Sequence, residues 1–78
     1  MPMRPREHDL AVLLCDVPQH GLHAGDVGTV VHVYAGHSAY EVEFIDMMGG
    51  TLAVTTVEGS SLRPLREGER PVPHLQSA

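Results

Sequence analysis

The segment AYEVEFI, residues 39–45, most constrains what this chain can fold into. Its apolar residues Tyr40, Val42 and Phe44 alternate with Glu41 and Glu43. A period of two places the apolar side chains on one face of a β-strand and the carboxylates on the other. The segment therefore predicts a strand that is buried on one side and solvated on the other.

Four other short runs are apolar or rich in β-branched residues, and turns containing glycine or proline separate them. They cover residues 10–15, 27–34, 51–57 and 62–65. No window has the periodicity of an amphipathic helix of useful length. Five short strands predict an all-β fold, and closing so small a sheet hides its edges from solvent. We therefore expect a partly open, five-stranded barrel.

The chain of 78 residues is long enough for one domain. We expect the barrel over residues 10–66 and short disordered tails over 1–9 and 67–78, because both ends combine proline and charge without periodicity. The residues expected to form one core are Leu13, Val31, Val33, Val42, Phe44, Leu52, Val54 and Leu62.

The charge and the cysteine content indicate which partners and which cellular compartment suit this chain. Ten acidic residues and five arginines give a net charge of −5, and there is no lysine. This balance disfavours nucleic acid as a partner. A single cysteine, Cys15, excludes an intrachain disulfide and favours a reducing compartment, so we expect a cytoplasmic protein. No segment is typical of a secretory signal or a membrane helix.

The loop GLHAGDVG, residues 21–28, is interpreted as a corner of the barrel. Gly21 and Gly25 permit a positive φ, Asp26 can accept hydrogen bonds from nearby amides, and Gly28 leaves room for a crossing strand. A phosphate-binding loop would open a helix and supply a lysine. Here the loop opens a strand and no lysine follows, so the glycines are predicted to be structural.

Three sequence motifs carry a resemblance to known barrels. L-x-A-G-D-V-G-T-V-V at 22–31 is followed by Y-E-V-E-F at 40–44 and L-R-P-L at 62–65. Together they resemble a family of small, uncharacterised bacterial SH3-like barrel domains. They are also similar to the barrel of nitrile hydratase β-subunits and their activator proteins, and more distantly to KOW-type domains. The resemblance implies an SH3-like barrel that serves as an accessory module, with a regulatory or antitoxin-like role in a two-gene cassette as one implication.

Several side chains are candidates for chemistry. His20 and His23, with His37 and Asp26, are residue types that bind zinc, although solvated loop histidines explain them more simply. Cys15, at the end of an apolar run, is expected to be a buried structural cysteine rather than a nucleophile. Glu41 and Glu43 could form a carboxylate pair, but alternating glutamates are also the ordinary solvent face of a strand. We therefore predict no enzymatic activity, no cofactor and no metal.

Protein binding is the leading hypothesis for function. Tyrosine and methionine are enriched at interfaces, and Tyr34, Tyr40, Met47 and Met48 lie in or near the two turns that flank the third predicted strand. We expect these four residues to form a contact rim for a protein partner or for a second copy of the chain. A KOW-like nucleic-acid domain and a nitrile hydratase-like activator are the alternative functions.

Overall fold

The computed structural model describes residues 4–69 and contains one sheet of five antiparallel strands. The strands are β1 (Leu10–Leu13), β2 (Val27–Val33), β3 (Ala39–Ile45), β4 (Thr51–Glu58) and β5 (Leu62–Pro64). Their order across the sheet is β4-β3-β2-β1-β5. β4 and β5 do not pair with each other, so the sheet is not closed. The predicted all-β, five-stranded, partly open architecture is confirmed.

Three 3-10 turns connect the strands, at Pro18–His20, Ala35–His37 and Gly59–Ser61. The described residues contain no α-helix, and among them no helix is long and apolar enough to cross a membrane. The strand bounds differ from the predicted ones by two residues or fewer at any end.

The inward face of β3 is the centre of the core. Tyr40, Val42 and Phe44 are all buried, as the alternation predicts. Burial of such side chains supplies most of the free energy that holds a small domain together. The core cluster consists of Ala11, Leu13, Leu22, Val30, Tyr40, Val42, Phe44, Val57 and Leu62.

Two β-bulges explain the errors in the predicted core. The register of β2 on β3 shifts between Val30 and His32, so Val30 is buried opposite Val42 while Val31 is 40% exposed. A bulge inserts one unpaired residue and reverses the facing of all residues beyond it. The prediction that Val31 lies in the core is therefore wrong, and Val33 packs against the core only in part.

The second bulge lies where β4 begins. The register on β3 shifts so that Phe44 lies opposite Ala53 and Ile45 lies opposite Thr51. Val54 then shares the outer face with its partner Glu43 and is 54% exposed, so its predicted place in the core is wrong. Leu52 lies at the bulge and packs against the core from the side.

The predicted N-terminal tail spans residues 1–9, of which 4–9 are described. Pro5 is buried. The amide of His8 donates to the carbonyl of Val30 at 2.7 Å, and the amide of Val30 donates to the carbonyl of Asp9 at 2.9 Å. His8 and Asp9 therefore pair with Val30 of β2. Residues 1–3 and 70–78, which complete the two predicted tails, lie outside the described residues.

At the C-terminal end of the described residues, Arg63 of β5 forms a bidentate ion pair with Glu69. Its Nη1 and Nη2 atoms lie 2.9 Å and 2.7 Å from the two carboxylate oxygens. The hydrogen bonds from Arg63, with a further one from the amide of Arg66, lower the pKa of Glu69 from 4.5 to about 2. The pair ties the turn after β5 back onto the sheet edge.

We expect this ion pair to make stability depend on acid pH. The folded-state pKa of Glu69 lies below its ordinary value, so the pair stabilises the fold above pH 4.5 and loses its effect as pH falls towards about 2. Urea unfolding at neutral pH and near pH 2 should show a smaller acid-induced loss in Glu69→Gln than in the parent. Glu67→Gln is the matched control and should retain the full loss. An equal loss in the parent and Glu69→Gln would contradict the assignment.

Gly28 on β2 lies directly against side chains of β3. A Cβ atom there would lie 2.6 Å from Cγ1 of Val42 and 2.8 Å from Cε1 of Phe44. These distances are too short for real contacts, so the prediction that Gly28 leaves room for a crossing strand is confirmed. At Gly50 the nearest atom would be Oδ2 of Asp46 at 3.4 Å, which is an ordinary contact.

We therefore expect Gly28→Ala to lower the free energy of unfolding by about 1–3 kcal/mol, because the added methyl group overpacks the core. Gly50→Ala should lower it by less than about 1 kcal/mol, since the methyl group meets only an exposed carboxylate. Urea midpoints measured at constant m-value make this comparison. Equal effects at the two positions would show that the strand crossing tolerates a side chain.

Candidate functional site

The turn between β3 and β4 is held by the side chain of Asp46. Its Oδ1 atom accepts hydrogen bonds from the amides of Met48 at 2.9 Å and Gly50 at 3.0 Å. The backbone of Asp46 also bonds to Gly49 and Gly50, and Gly49 adopts the positive φ of +85° that the turn requires. An aspartate that caps its own turn in this way fixes the backbone. The two methionines between Asp46 and Gly49 are thus displayed from a defined turn.

Four exposed apolar side chains lie at this end of the sheet. Met48 is 92% exposed, Met47 and Ile45 are also exposed, and Val54 lies on the outer face of β4. Val54 is paired with Glu43, two residues before Ile45 on the same strand, so Val54 and Ile45 are diagonal neighbours across the strand pair. We call Ile45, Met47, Met48 and Val54 the hairpin surface. Ile45 and Val54 were not predicted as contact residues; their exposure depends on the register of β3 and β4.

The four residues of the predicted contact rim do not come together. Tyr40 is only 1% exposed and belongs to the core, so its predicted exposure on a rim is wrong. The alternation of β3 places its ring on the same face as Val42 and Phe44. Tyr34 is exposed but precedes β3, whereas Met47 and Met48 follow it. A strand of seven residues separates them by roughly 20 Å.

Tyr34 instead belongs to a polar network on the outer face of the sheet. Its hydroxyl group donates to Oε2 of Glu41 at 3.0 Å, and the hydroxyl group of Thr56 donates to Oε1 of Glu41 at 2.7 Å. The ring of His32 packs edge-on against Tyr34, with ring centroids 4.7 Å apart. The hydrogen bond to Glu41 is the main reason that the pKa of Tyr34 is raised above 10.

Glu43, the other half of the proposed carboxylate pair, accepts a hydrogen bond from the hydroxyl group of Thr51 at 2.8 Å. Glu41 and Glu43 are each bound to a different threonine of β4. Threonine–carboxylate contacts across adjacent strands stabilise a sheet. This geometry describes the solvent face of a strand pair.

The outer edge of β4 is the second feature of this site. β4 has eight residues and, within residues 4–69, pairs with β3 alone. Its sequence TLAVTTVE contains no lysine or proline, the residues that commonly protect an edge strand. The opposite edge strand, β5, has three residues and ends at Pro64, which lacks an amide hydrogen. The two edges of the sheet therefore differ sharply in their capacity to pair with a further strand.

The charge around β4 is of one sign. Residues 27–58, which span β2 to β4, contain Glu41, Glu43, Asp46 and Glu58 but no lysine or arginine. All five arginines lie before residue 7 or after residue 62. The hairpin surface and the β4 edge consequently lie in an acidic half of the domain.

The loop before β2 is a structural corner, as predicted. Gly21 and Gly25 have φ values of +68° and +96°. Oδ2 of Asp26 accepts a hydrogen bond from the amide of His23 at 2.8 Å, and Asp16 binds the amide of Ala24. Leu22, which was not among the predicted core residues, is fully buried beneath this loop.

Of the candidate metal ligands, His20, His23 and Asp26 lie in the loop before β2, near Cys15, whereas His37 lies in the turn between β2 and β3. Among residues 4–69, no three histidine, cysteine, aspartate or glutamate side chains come together as a metal site. His20 ends a 3-10 turn and is exposed. Cys15 is exposed too, so the prediction that it is buried is wrong. β1 ends at Leu13, and the bend that follows carries Cys15 out of the sheet.

Comparison with protein families gives one match. The profile of DUF4926, described as a domain of unknown function, matches residues 7–64 and so covers β1 to β5. The chain belongs to the DUF4926 family. No curated protein and no solved structure matches it. The match names neither nitrile hydratase nor KOW-type domains, and the family description assigns no activity to the site.

We expect the bond between Tyr34 and Glu41 to be visible in an alkaline titration. Loss of the carboxylate in Glu41→Ala removes the acceptor that holds the phenol in its protonated form, so the pKa of Tyr34 should fall towards 10. Phenolate absorbance of Tyr40→Phe, in which Tyr34 is the sole tyrosine, isolates this titration. An unchanged titration after adding Glu41→Ala would contradict the network.

Proposed function

We propose that this DUF4926 domain is a non-enzymatic, protein-binding module that receives an extended, basic segment of a partner protein along β4. The observation that carries the proposal is the eight-residue, unprotected edge of β4 beside the exposed apolar side chains of the hairpin surface. Main-chain hydrogen bonds to a sheet edge supply affinity in this mode of recognition, and side-chain contacts supply specificity.

The sheet supports this role in two ways. Its meander order, in which β5 returns to β1, agrees with the SH3-like barrel that the sequence resemblance implies. Its turn at Asp46 is already ordered, so little conformational entropy is lost when Met47 and Met48 are covered. Methionine adapts its shape to a partner surface, which suits a contact of this kind.

Charge favours a basic partner over a second copy of the chain. Pairing two β4 edges would bring two regions together that each contain four acidic residues and no lysine or arginine. Like charges at an interface are unfavourable, whereas lysine or arginine on an added strand would complement Glu41, Glu43 and Glu58. The exposed, free thiol of Cys15 supports a reducing compartment such as the cytoplasm.

A designed peptide with alternating valine and lysine is a direct probe of the β4 edge. Titrated into isotopically labelled protein, it should shift the amide resonances of residues 51–58 and slow their hydrogen exchange. The same peptide with glutamate in place of lysine should bind at least about tenfold more weakly, because the acidic half of the domain repels it.

Val54→Lys should abolish binding of the valine–lysine peptide, since it places a positive charge on the proposed contact. Leu14→Lys is the matched control, because Leu14 is 50% exposed but lies after β1, far along the sheet from β4. Equal binding by the parent and Val54→Lys would refute the proposed surface. Light scattering that shows a concentration-dependent dimer, lost in Val54→Lys, would replace the basic partner with a second copy.

A further inference from the structure

A groove of about 800 Å³ lies at the end of β3 away from the hairpin surface. Three segments form it: the N-terminal residues Arg4 and Pro5, the turn over residues 36–38, and the stretch from Glu58 to Pro64. Its size is in the range of pockets that hold small ligands or a few residues of a peptide. Of the residues that the β4 proposal uses, only Glu58, the last residue of β4, lines this groove.

The groove walls are held in one conformation by close packing. The amide of Gly59 donates to the carbonyl of Ser38 at 2.9 Å, and a Cβ atom at Gly59 would collide with the carbonyl oxygen of His37. His37 itself has a φ of +56°, which is uncommon and strained for a residue with a side chain. A site whose walls are already ordered loses little entropy when a ligand binds.

The floor of the groove contains an unpartnered hydroxyl group. Tyr40 is only 1% exposed, and its hydroxyl group forms no hydrogen bond with another described residue. Every completely buried side-chain oxygen among the described residues has a hydrogen-bond partner. Since the Tyr40 oxygen has none, it is not completely buried, and its small exposed area faces the groove that Tyr40 lines. Buried hydroxyl groups normally have a hydrogen-bond partner. This one is a donor that faces the groove.

Arg4 supplies positive charge beside that hydroxyl group. Burial raises the pKa of Tyr40, and the charge of Arg4 acts in the opposite direction. Arg4 forms no ion pair with a described residue, whereas Arg63, which also lines the groove, is bound to Glu69. The groove therefore combines two hydrogen-bond donors, the Arg4 guanidinium and the Tyr40 hydroxyl group. Neither donates a hydrogen bond to another described residue.

These donors select the class of ligand. A guanidinium group presents a planar fork that matches a carboxylate, and charge-assisted hydrogen bonds of this kind are strong. The acidic side chain of Glu58 lines the same groove and disfavours a doubly charged group such as phosphate. A singly charged carboxylate fits both conditions.

We propose that this groove binds the carboxylate group of an organic ligand, with the Arg4 guanidinium and the Tyr40 hydroxyl group as its hydrogen-bond donors. The chemistry is shared by the C-terminus of a peptide and by a small organic acid. Arg4 lies outside residues 7–64, so the site joins the family domain to the segment that precedes it. The proposal does not rest on strand addition at the β4 edge, with which the groove shares only Glu58.

The test uses the full chain, labelled for nuclear magnetic resonance, and three probes. These are an N-acetylated tetrapeptide with a free C-terminus, the same peptide with an amidated C-terminus, and propionate, a small acid with one carboxylate. We expect saturable shifts of the Gly59 and Ser60 amides and the Tyr40 ring at millimolar concentrations of a free carboxylate. Binding of the free peptide alone assigns the ligand to peptide C-termini, and binding of propionate alone assigns it to small acids.

Arg4→Gln should weaken binding of the carboxylate probe about tenfold or more, because it removes a charge-assisted hydrogen bond. Tyr40→Phe should weaken it about fivefold while leaving the fold unchanged, since the hydroxyl group has no partner in the core. Arg6→Gln is the matched control and should change affinity less than twofold, because Arg6 is paired with Asp9 and does not line the groove.

Three results would overturn the carboxylate site. They are the absence of saturable shifts with both free carboxylates, equal binding of the amidated peptide, and an equal loss in Arg6→Gln and Arg4→Gln. The last result would mean that net charge, rather than a built site, attracts the probe. None of these variants alters β4, so failure here leaves the β4 proposal standing.

Discussion

The ring of Phe44 occupies the space between two of the smallest side chains in the neighbouring strands, and the rest of the sheet depends on this fit. Gly28 on β2 lies so close that a Cβ atom would meet the ring, and Ala53 is its partner on β4. A large residue on a central strand thus requires small residues on both sides. The fit therefore depends on residues from three strands of the sheet, β2, β3 and β4.

β3, the strand that carries Phe44, separates two different surfaces. At its C-terminal end, the turn capped by Asp46 displays apolar side chains in an acidic region next to a free edge. At its N-terminal end, Tyr40 opens into a groove that Arg4 lines. A rigid strand can keep two such surfaces apart, and the five arginines lie outside the acidic half.

Sequence patterns predicted the buried face of β3 well and the buried faces of β2 and β4 poorly, for a reason that specific residues show. In β3, glutamates occupy every second position, so only the opposite face of the strand can be buried as an apolar face. In β2, Val30, Val31 and Val33 are equally apolar, so either face could be the buried one. The bulge beyond Val30 decides between them, and bulges depend on how the partner strand packs rather than on local composition. In β4, regular pairing with Glu43 places Val54 on the outer face, whereas Leu52, at the bulge, packs partly against the core as predicted.

The candidate site was predictable only where the chain is locally constrained. The exposure of Met47 and Met48 follows from a turn whose aspartate and glycines are adjacent in sequence. Tyr40 was assigned to a contact rim although its own alternation with Val42 and Phe44 indicated burial. The exposed Cys15 depended on where β1 ends, which an unbroken apolar run such as LAVLLC does not mark.

The sequence by itself therefore determined the class of fold, the five strands, the acidic balance and the glycine corner at 21–28, because these follow from composition and short-range periodicity. The tertiary structure alone decided which valines are buried, which edge of the sheet is free, and that Arg4 and Tyr40 meet in one groove. These features arise from contacts between segments far apart in the chain, where packing selects among faces that local propensity leaves nearly equal in free energy.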